Sequence, residues 1–207
     1  MTMKNFLVSA LILMSGAANA QQIVTDFESQ KKSIIKMEFF SPLTGNTTFG
    51  YERYIKDWVS WEAKVGIIGL GLDPNEIDPS GVLFRVGPKF KLNPDFVADG
   101  MKGSHLLSGK YIRPEVAMSF FTQDNIVYDE FTGNESRNRE DYSAVAILLN
   151  YGRQYVLADI MSLDYHVGLG YGFNSGGEGR YSYSHAAGGR DFPVAVSAGF
   201  TIGVLLK

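Results

Sequence analysis

The sequence contains no cysteine, and its 19 Lys and Arg residues nearly balance its 22 Asp and Glu residues, for a formal net charge of -3. The missing cysteine excludes disulfide scaffolds, thiol catalysis and cysteine-ligated metal sites. The charge balance excludes a strongly basic nucleic-acid-binding protein. We expect neither a nucleic-acid partner nor a cofactor, and we assign no metal site.

Long hydrophobic runs are missing as well. After residue 20 the longest uninterrupted apolar run is Ala144 to Leu149, well below the ~18 residues that mark a membrane-spanning helix. This excludes an inner-membrane helical protein.

The first twenty residues have the pattern of a secretory signal peptide. Lys4 gives a positive start, Phe6 to Met14 form a short apolar stretch, and Ala18-Asn19-Ala20 is a small-x-small cleavage site. We predict a signal peptide over residues 1–20 with cleavage near Ala20, and an N-terminal periplasmic segment over residues 21–32.

The remaining chain alternates between apolar and polar residues with a period of two, which predicts strands. Eight candidate strands have about the length that crosses a bilayer at a tilt. They are Ser33-Ser41, Thr47-Lys56, Trp58-Leu70, Val82-Leu92, Ser108-Phe121, Tyr142-Leu157, Ile160-Phe173 and Phe192-Leu206.

The two faces of these strands differ in composition. One face is apolar throughout, as in Val59, Trp61, Ala63, Val65 and Ile67. The other carries glycines and both signs of charge. Its charged and titratable residues, which we predict to form one network, are Lys36, Glu38, Glu52, Glu62, Lys64, Arg85, Lys89, Arg113, Glu115, Asp164 and His166.

Two architectures fit this alternation: a soluble barrel that buries the apolar face, or an outer-membrane barrel that turns it towards lipid. Three features favour the membrane: glycine-rich inner faces that suit a narrow lumen, aromatic residues near the strand ends that suit interfacial belts, and a balance of charge that suits a packed interior. We therefore predict an all-β, eight-stranded antiparallel up-and-down transmembrane β-barrel over residues 33–207, located in the outer membrane of a Gram-negative cell.

Connection lengths predict the orientation. Tight connections at Asp57 and Ala158-Asp159 are typical of periplasmic turns, and long ones at Gly71-Gly81, Thr122-Asp141 and Asn174-Asp191 are typical of external loops. Pro42-Asn46 and Asn93-Leu107 break this asymmetry.

Pro88, Pro114 and Pro193 fall within predicted strands, where bulges near the rims would accommodate them.

Parts of the sequence resemble small outer-membrane β-barrel proteins of unknown function. The segments that carry the resemblance are Lys36 to Gly45, Phe49 to Arg53, Gly109 to Glu115, Tyr151 to Leu157 and His166 to Phe173. The resemblance implies a transmembrane barrel of the OmpA or OmpX type, and it implies no ligand or catalytic residues.

Three histidines are the candidates for chemistry. Ser184 and His185 are adjacent in the last long loop, which we expect to be mobile, and an esterase would need a carboxylate to orient them. His166 follows Asp164 on the polar face and is expected to belong to the charge network. His105 has no evident partner in the sequence.

We conclude that the chain is a structural or interaction protein with a charge-filled lumen and three external loops, without inferred catalytic activity. The expected partners are outer-membrane lipid and, through the loops, lipopolysaccharide or extracellular ligands, and a monomer is expected. Two alternatives stay open: a lipid-modifying enzyme active at the rim, and a soluble periplasmic barrel that binds a small hydrophobic ligand.

Overall fold

A computed structural model describes residues 29–56, 58–92, 105–128, 135–175, 180–189 and 191–207. The predicted signal peptide lies outside the described residues. The strands are β1 (Ser33–Glu38), β2 (Asn46–Lys56), β3 (Val59–Ile68), β4 (Ser80–Leu92), β5 (Gly109–Tyr128), β6 (Glu135–Leu157), β7 (Met161–Asn174), β8 (Arg180–Tyr181), β9 (Ala186–Ala187) and β10 (Val194–Leu206).

Eight of these strands form a closed antiparallel ring. Strands β1 to β7 pair in chain order, β7 pairs with β10, and β10 pairs with β1 from Ser33 opposite Leu206 to Glu38 opposite Thr201. The short strands β8 and β9 form a small hairpin that pairs with β10 through Ala186 and Ala187. The predicted eight-stranded up-and-down barrel is confirmed.

The polarity of the barrel is inside out compared with a soluble protein. Large apolar side chains on the outer face are exposed, with Ile147 at 66% and Val167 at 63% of full accessibility. The opposite face of the same strands buries charged residues, including Arg113 and Glu52 at 0%. Because a soluble barrel would expose its charges and bury its apolar side chains, this arrangement disfavours the soluble alternative. No helix in the described ranges is long and apolar enough to cross a membrane.

The two ends of the barrel differ, and we name them by their connections. The turn end contains the short β2–β3 and β6–β7 connections, and in the second of these Ala158 and Asp159 both have positive φ angles of 53° and 54°, as a tight hairpin turn requires. The loop end contains the β1–β2 and β3–β4 connections and the β8–β9 hairpin, whereas the long β4–β5 connection lies at the turn end. The two tight turns therefore share one end, and the β1–β2 and β4–β5 connections are the two departures from the asymmetry that the sequence indicates.

The prediction for one of the long loops was wrong. Thr122-Asp141 was expected to be a long loop, but β5 and β6 stay paired from Thr122 opposite Asp141 to Tyr128 opposite Glu135. This hairpin extends beyond its neighbours, because β4 pairs with β5 only as far as Thr122. The segment has polar residues on both faces, so its sequence lacks the alternation that marks a half-buried strand.

The first strand is shorter than predicted, ending at Glu38 instead of Ser41. A 3-10 turn, Ser41–Thr44, follows, with Pro42 in its first positions and Gly45 in the left-handed conformation at φ 81°. Proline fixes its own φ and has no N–H to donate, so the ladder with β10 does not continue through this segment.

Two of the strand prolines share one interruption of the sheet instead of occupying separate bulges at the rims. The β4–β5 pairing breaks after Val86 opposite Val116 and resumes at Phe90 opposite Ile112. Pro88 and Pro114 both lie in this gap, where neither could donate a ladder hydrogen bond. A Cβ added at Gly87 would lie 2.0 Å from the carbonyl oxygen of Pro114, so only glycine allows the strands to approach this closely. Pro193 immediately precedes β10.

Candidate functional site: the barrel lumen

All eleven residues of the predicted charge network point into the lumen and are buried. They form two groups along the barrel axis. The turn-end cluster contains Lys36, Glu52, Glu62, Lys89 and Asp164, and the loop-end cluster contains Glu38, Lys64, Arg85, Arg113, Glu115 and His166. Lys91, which the sequence analysis did not single out, is also buried and lies 4.0 Å from Glu52.

The turn-end cluster is closely paired. The Lys89 ammonium lies 2.9 Å from Glu52, 2.7 Å from Glu62 and 2.9 Å from Asp164. The Lys36 ammonium contacts the same three carboxylates, at 2.6 Å for Glu62 and 2.9 Å for Asp164. Charge-assisted hydrogen bonds of this kind offset the free energy that buried charges lose when they leave water.

Neutral side chains complete the coordination of this cluster. The Gln154 carbonyl oxygen accepts from Lys36 at 2.8 Å and from Lys89 at 3.0 Å. Tyr111 donates to Asp164 at 2.6 Å, and Ser60 donates to Glu52 at 2.6 Å. The Lys89 ammonium also lies 4.2 Å from the centre of the Tyr111 ring, a cation–π distance.

Three carboxylates of the turn-end cluster lie close enough together to share a cation. Oxygen atoms of Glu52, Glu62 and Asp164 lie within 4.8 Å of one another. The Lys36 and Lys89 ammoniums already lie among these oxygens. The two lysines would therefore compete with any metal ion for the same ligands, and this donor set gives no reason to assign a metal.

A hydrophobic plug closes the lumen at the turn end. Leu107 is fully buried against Ile34 and Leu205, which both point into the lumen. The Lys91 ammonium donates to the carbonyl oxygen of Leu107 at 2.5 Å. This contact attaches the end of the connection between β4 and β5 to the barrel interior.

The same connection is held from outside the lumen. His105, expected to have no partner, lies 2.8 Å from the Asp159 carboxylate in the β6–β7 turn. The Leu106 N–H donates to Gln30 at 2.9 Å, and the Lys31 ammonium donates to the Asp159 carbonyl at 2.7 Å. Burial lowers the pKa of His105 below its ordinary value, and the contact with Asp159 opposes that shift.

The loop-end cluster is less completely paired. Arg85 and Arg113 share the Glu115 carboxylate at 2.7 Å and 2.8 Å, and Arg113 also contacts Glu62. The Lys64 ammonium, in contrast, lies 3.7 Å from both Glu38 and Glu62 and has no hydrogen-bond partner among the described residues.

His166 lies in this cluster beside Arg85. Its Nε2 lies 3.3 Å from the Arg85 guanidinium. Because arginine can only donate, Nε2 accepts and the ring proton lies on Nδ1. That Nδ1 is buried and has no partner in the described part of the chain.

The β8–β9 hairpin folds into the lumen above the loop-end cluster, so the expectation of a mobile loop without a fixed site was wrong. Ser182, Ser184 and His185 are 1%, 3% and 2% exposed. Tyr183 packs edge-on against Phe121 with ring centres 5.0 Å apart. Aromatic anchoring and pairing with β10 fix the hairpin, and a loop rich in glycine and serine gives little indication of either in its sequence.

Ser184 and His185 contact each other but do not form a catalytic triad. The Ser184 hydroxyl lies 2.9 Å from His185 Nδ1. The other ring nitrogen, Nε2, has no hydrogen-bond partner among the described residues, so no carboxylate orients the imidazole as an activated serine would require. Burial and the nearby positive charge of Arg85 lower the pKa of His185 to about 4.

One cavity of about 600 Å³ lies at the loop end. Its inner wall includes Glu38, Arg85, His166, Ser184 and His185, and its outer wall includes side chains that face away from the lumen. This volume is within the range of small-molecule sites.

No protein-family model matches the sequence, and no curated protein matches it. Among solved structures, the chain is similar to the N-terminal β-barrel domain of Pseudomonas aeruginosa OprF. The sequences are 12% identical, the match covers 86% of this chain and 98% of that domain, and the TM-score is 0.35.

Proposed function

We propose that the chain is an integral outer-membrane β-barrel protein with a structural or interaction role and no enzymatic activity. The observation that carries the proposal is the inverted polarity of the closed ring: apolar side chains face outward over the height of the wall, while the charged side chains of both clusters lie inside. A bilayer is the solvent that stabilises this arrangement, since closure satisfies the backbone hydrogen bonds of every strand.

The lumen does not support a general porin. Ion pairs and the Leu107 plug fill its turn end, and eight strands enclose little more than their own side chains. We infer a monomer with no open channel. Its outward apolar face would contact membrane lipid.

The extended β5–β6 hairpin supports a role in surface interaction. It carries both signs of charge beyond the wall, and Arg139 pairs there with Asp78 of the β3–β4 connection at 3.0 Å. Such a surface could contact lipopolysaccharide or an extracellular ligand, so we propose this hairpin as the interaction element of the protein.

Cell fractionation and a heat-modifiability gel test the proposal. We expect the expressed protein in the sarkosyl-insoluble envelope fraction, and we expect its gel mobility to change on boiling. Release of the protein by osmotic shock, with unchanged mobility, would contradict a membrane barrel.

The contact between Ser184 and His185 is the only local feature, among the described residues, that favours a lipid-modifying enzyme. Without an orienting carboxylate we expect Ser184→Ala and His185→Ala to leave the lipid A mass profile of expressing cells unchanged. A mass shift that appears with the parent protein and disappears with His185→Ala would replace the structural proposal by the enzymatic one.

A further inference from the structure

The barrel wall has a lateral opening at the loop end, between β1 and β10. β1 ends at Glu38, and beyond it the Phe39 N–H donates to the Phe200 carbonyl at 2.8 Å. β9 pairs with β10 only at Ala195 and Val196. In the part of the chain that the structure describes, Ser197, Ala198 and Gly199 therefore have no strand partner on this side.

The cavity described above passes through this opening. Its outer lining consists of side chains on the membrane-facing side of the wall, namely Phe40, Val196, Ala198 and Phe200, and its inner lining consists of lumen residues. Phe40 and Phe200 pack together with ring centres 6.0 Å apart. The opening is thus apolar at its mouth and polar at its base.

The polar base favours a ligand rich in hydrogen-bond acceptors. His166 Nδ1 is an N–H without a partner, and His185 Nε2 is likewise unpartnered and buried. The Arg85 guanidinium lines the same space. His166 can therefore donate from Nδ1 to an incoming oxygen, and His185 can donate from Nε2 when its Nδ1 accepts from the Ser184 hydroxyl.

The charge balance of the lumen favours an anion. The buried charged residues of the described chain are six cations and five carboxylates, which leaves one formal positive charge. Glu38, the carboxylate at the cavity, is already shared at 3.7 Å between Arg85 and Lys64. The Arg85 guanidinium, which lines the cavity, therefore has the capacity to pair with one further negative group.

We propose that this opening is a binding site for a single-chain lipid with an anionic head group, which enters sideways from the membrane. The acyl chain would lie against Phe40, Val196, Ala198 and Phe200, and the carboxylate or phosphate would accept hydrogen bonds from His166, His185 and Arg85. This inference rests on the proposed membrane location, because only a lipid phase delivers such a ligand to the outer face of the wall.

A photo-crosslinking experiment tests the site in the intact barrel. The protein is inserted into phosphatidylcholine nanodiscs and titrated with a diazirine-bearing long-chain fatty acid, its methyl ester and the corresponding lysophosphatidic acid. We expect saturable labelling of the peptides that contain residues 181–187 and 194–200, with the acids favoured over the ester by about tenfold, the effect of one charge-assisted hydrogen bond. The more tightly bound acid identifies the head group as a carboxylate or a phosphate.

A matched pair of variants separates the opening from the general lipid surface. Ala198→Trp fills the opening, while Ala63→Trp places the same side chain on the outer face of β3. We expect Ala198→Trp to abolish the saturable labelling and Ala63→Trp to preserve it.

Two results would overturn the proposal: labelling that spreads around the barrel without saturation, or equal labelling by acid and ester. Either result obtained with a heat-modifiable barrel that inserts into nanodiscs would leave the membrane proposal intact. A protein that fails to insert at all would instead count against the proposed function.

Discussion

The two ends of the lumen use the same residue types to different effect. At the turn end, Lys36 and Lys89 each contact three carboxylates within 2.9 Å, and Leu107 seals the base. At the loop end, Lys64 lies 3.7 Å from its carboxylates, two histidine nitrogens have no partner in the described chain, and a cavity of about 600 Å³ remains. The comparison indicates that one end stabilises the barrel while the other has the capacity to bind.

The largest expected effect comes from removing a cation of the turn-end cluster. Lys89→Met should cost about 3–5 kcal/mol in the free energy of unfolding, because Glu52, Glu62 and Asp164 would share a single remaining ammonium in a poorly solvated interior. Denaturant unfolding followed by heat-modifiability gels measures this.

Lys64→Met is the matched substitution at the loop end. Its ammonium has no hydrogen bond in the described chain, so we expect a clearly smaller change in the free energy of unfolding. Equal losses for the two variants would remove the distinction between the ends.

The hydrophobic plug at the turn end should stabilise the barrel nearly as much as Lys89 does. Leu107→Ala deletes a fully buried side chain packed on Ile34 and Leu205, and a cavity of that kind costs about 2–5 kcal/mol. The same unfolding assay measures the loss. Leu72→Ala, at a side chain that is 60% exposed near the loop end, is the control and should be almost neutral.

Charge on the outer face should be tolerated in a depth-dependent way. Ile147→Arg should cost about 2–4 kcal/mol in a bilayer, because it places a guanidinium near the middle of the apolar wall. Tyr155→Arg, two residues before β6 ends at the turn end, should cost less. Unfolding from liposomes measures both values, and equal costs would argue that water covers this face.

The smallest expected effect is a pH dependence in how stably the β8–β9 hairpin docks in the lumen. His185 has a pKa of about 4 when buried in the lumen, below its ordinary value of 6.5. The detached hairpin therefore binds a proton more readily, so the docked form is fully stabilised above about pH 6.5 and loses that stabilisation as the pH falls towards 4. NMR intensities of residues 181–187 across this range measure the loss, and His185→Gln should flatten the dependence.

The strands were predictable from the sequence because the lumen and the outer wall demand opposite residues at alternate positions. The predicted Thr47-Lys56 and Val82-Leu92 differ from the observed strands by no more than two residues at either end. The period-two pattern also assigned Glu62 and Arg113 to the same face, although it contains no information on which charges pair across the lumen.

The site at the loop end could not be predicted in the same way. Its docked hairpin depends on contacts distant in sequence, such as Tyr183 with Phe121. The opening depends on the early end of β1 at Glu38, where Phe39 and Phe40 continue the apolar character while the chain leaves the sheet for the 3-10 turn Ser41–Thr44. The plug could not be predicted either, because Leu107 is a single apolar residue in a long connection without alternating polarity.

The central claim, that lipid surrounds the wall, is tested most directly along β7. Since the sequence has no cysteine, single cysteines introduced at Leu163, Val167, Leu169 and Phe173 each carry one nitroxide label at a defined outward position. In liposomes we predict that accessibility to oxygen is highest at Val167 and Leu169 and that accessibility to a water-soluble nickel chelate is lowest there, with Asp191→Cys as the solvent control. Uniform accessibility to the nickel chelate along all four positions would contradict the account.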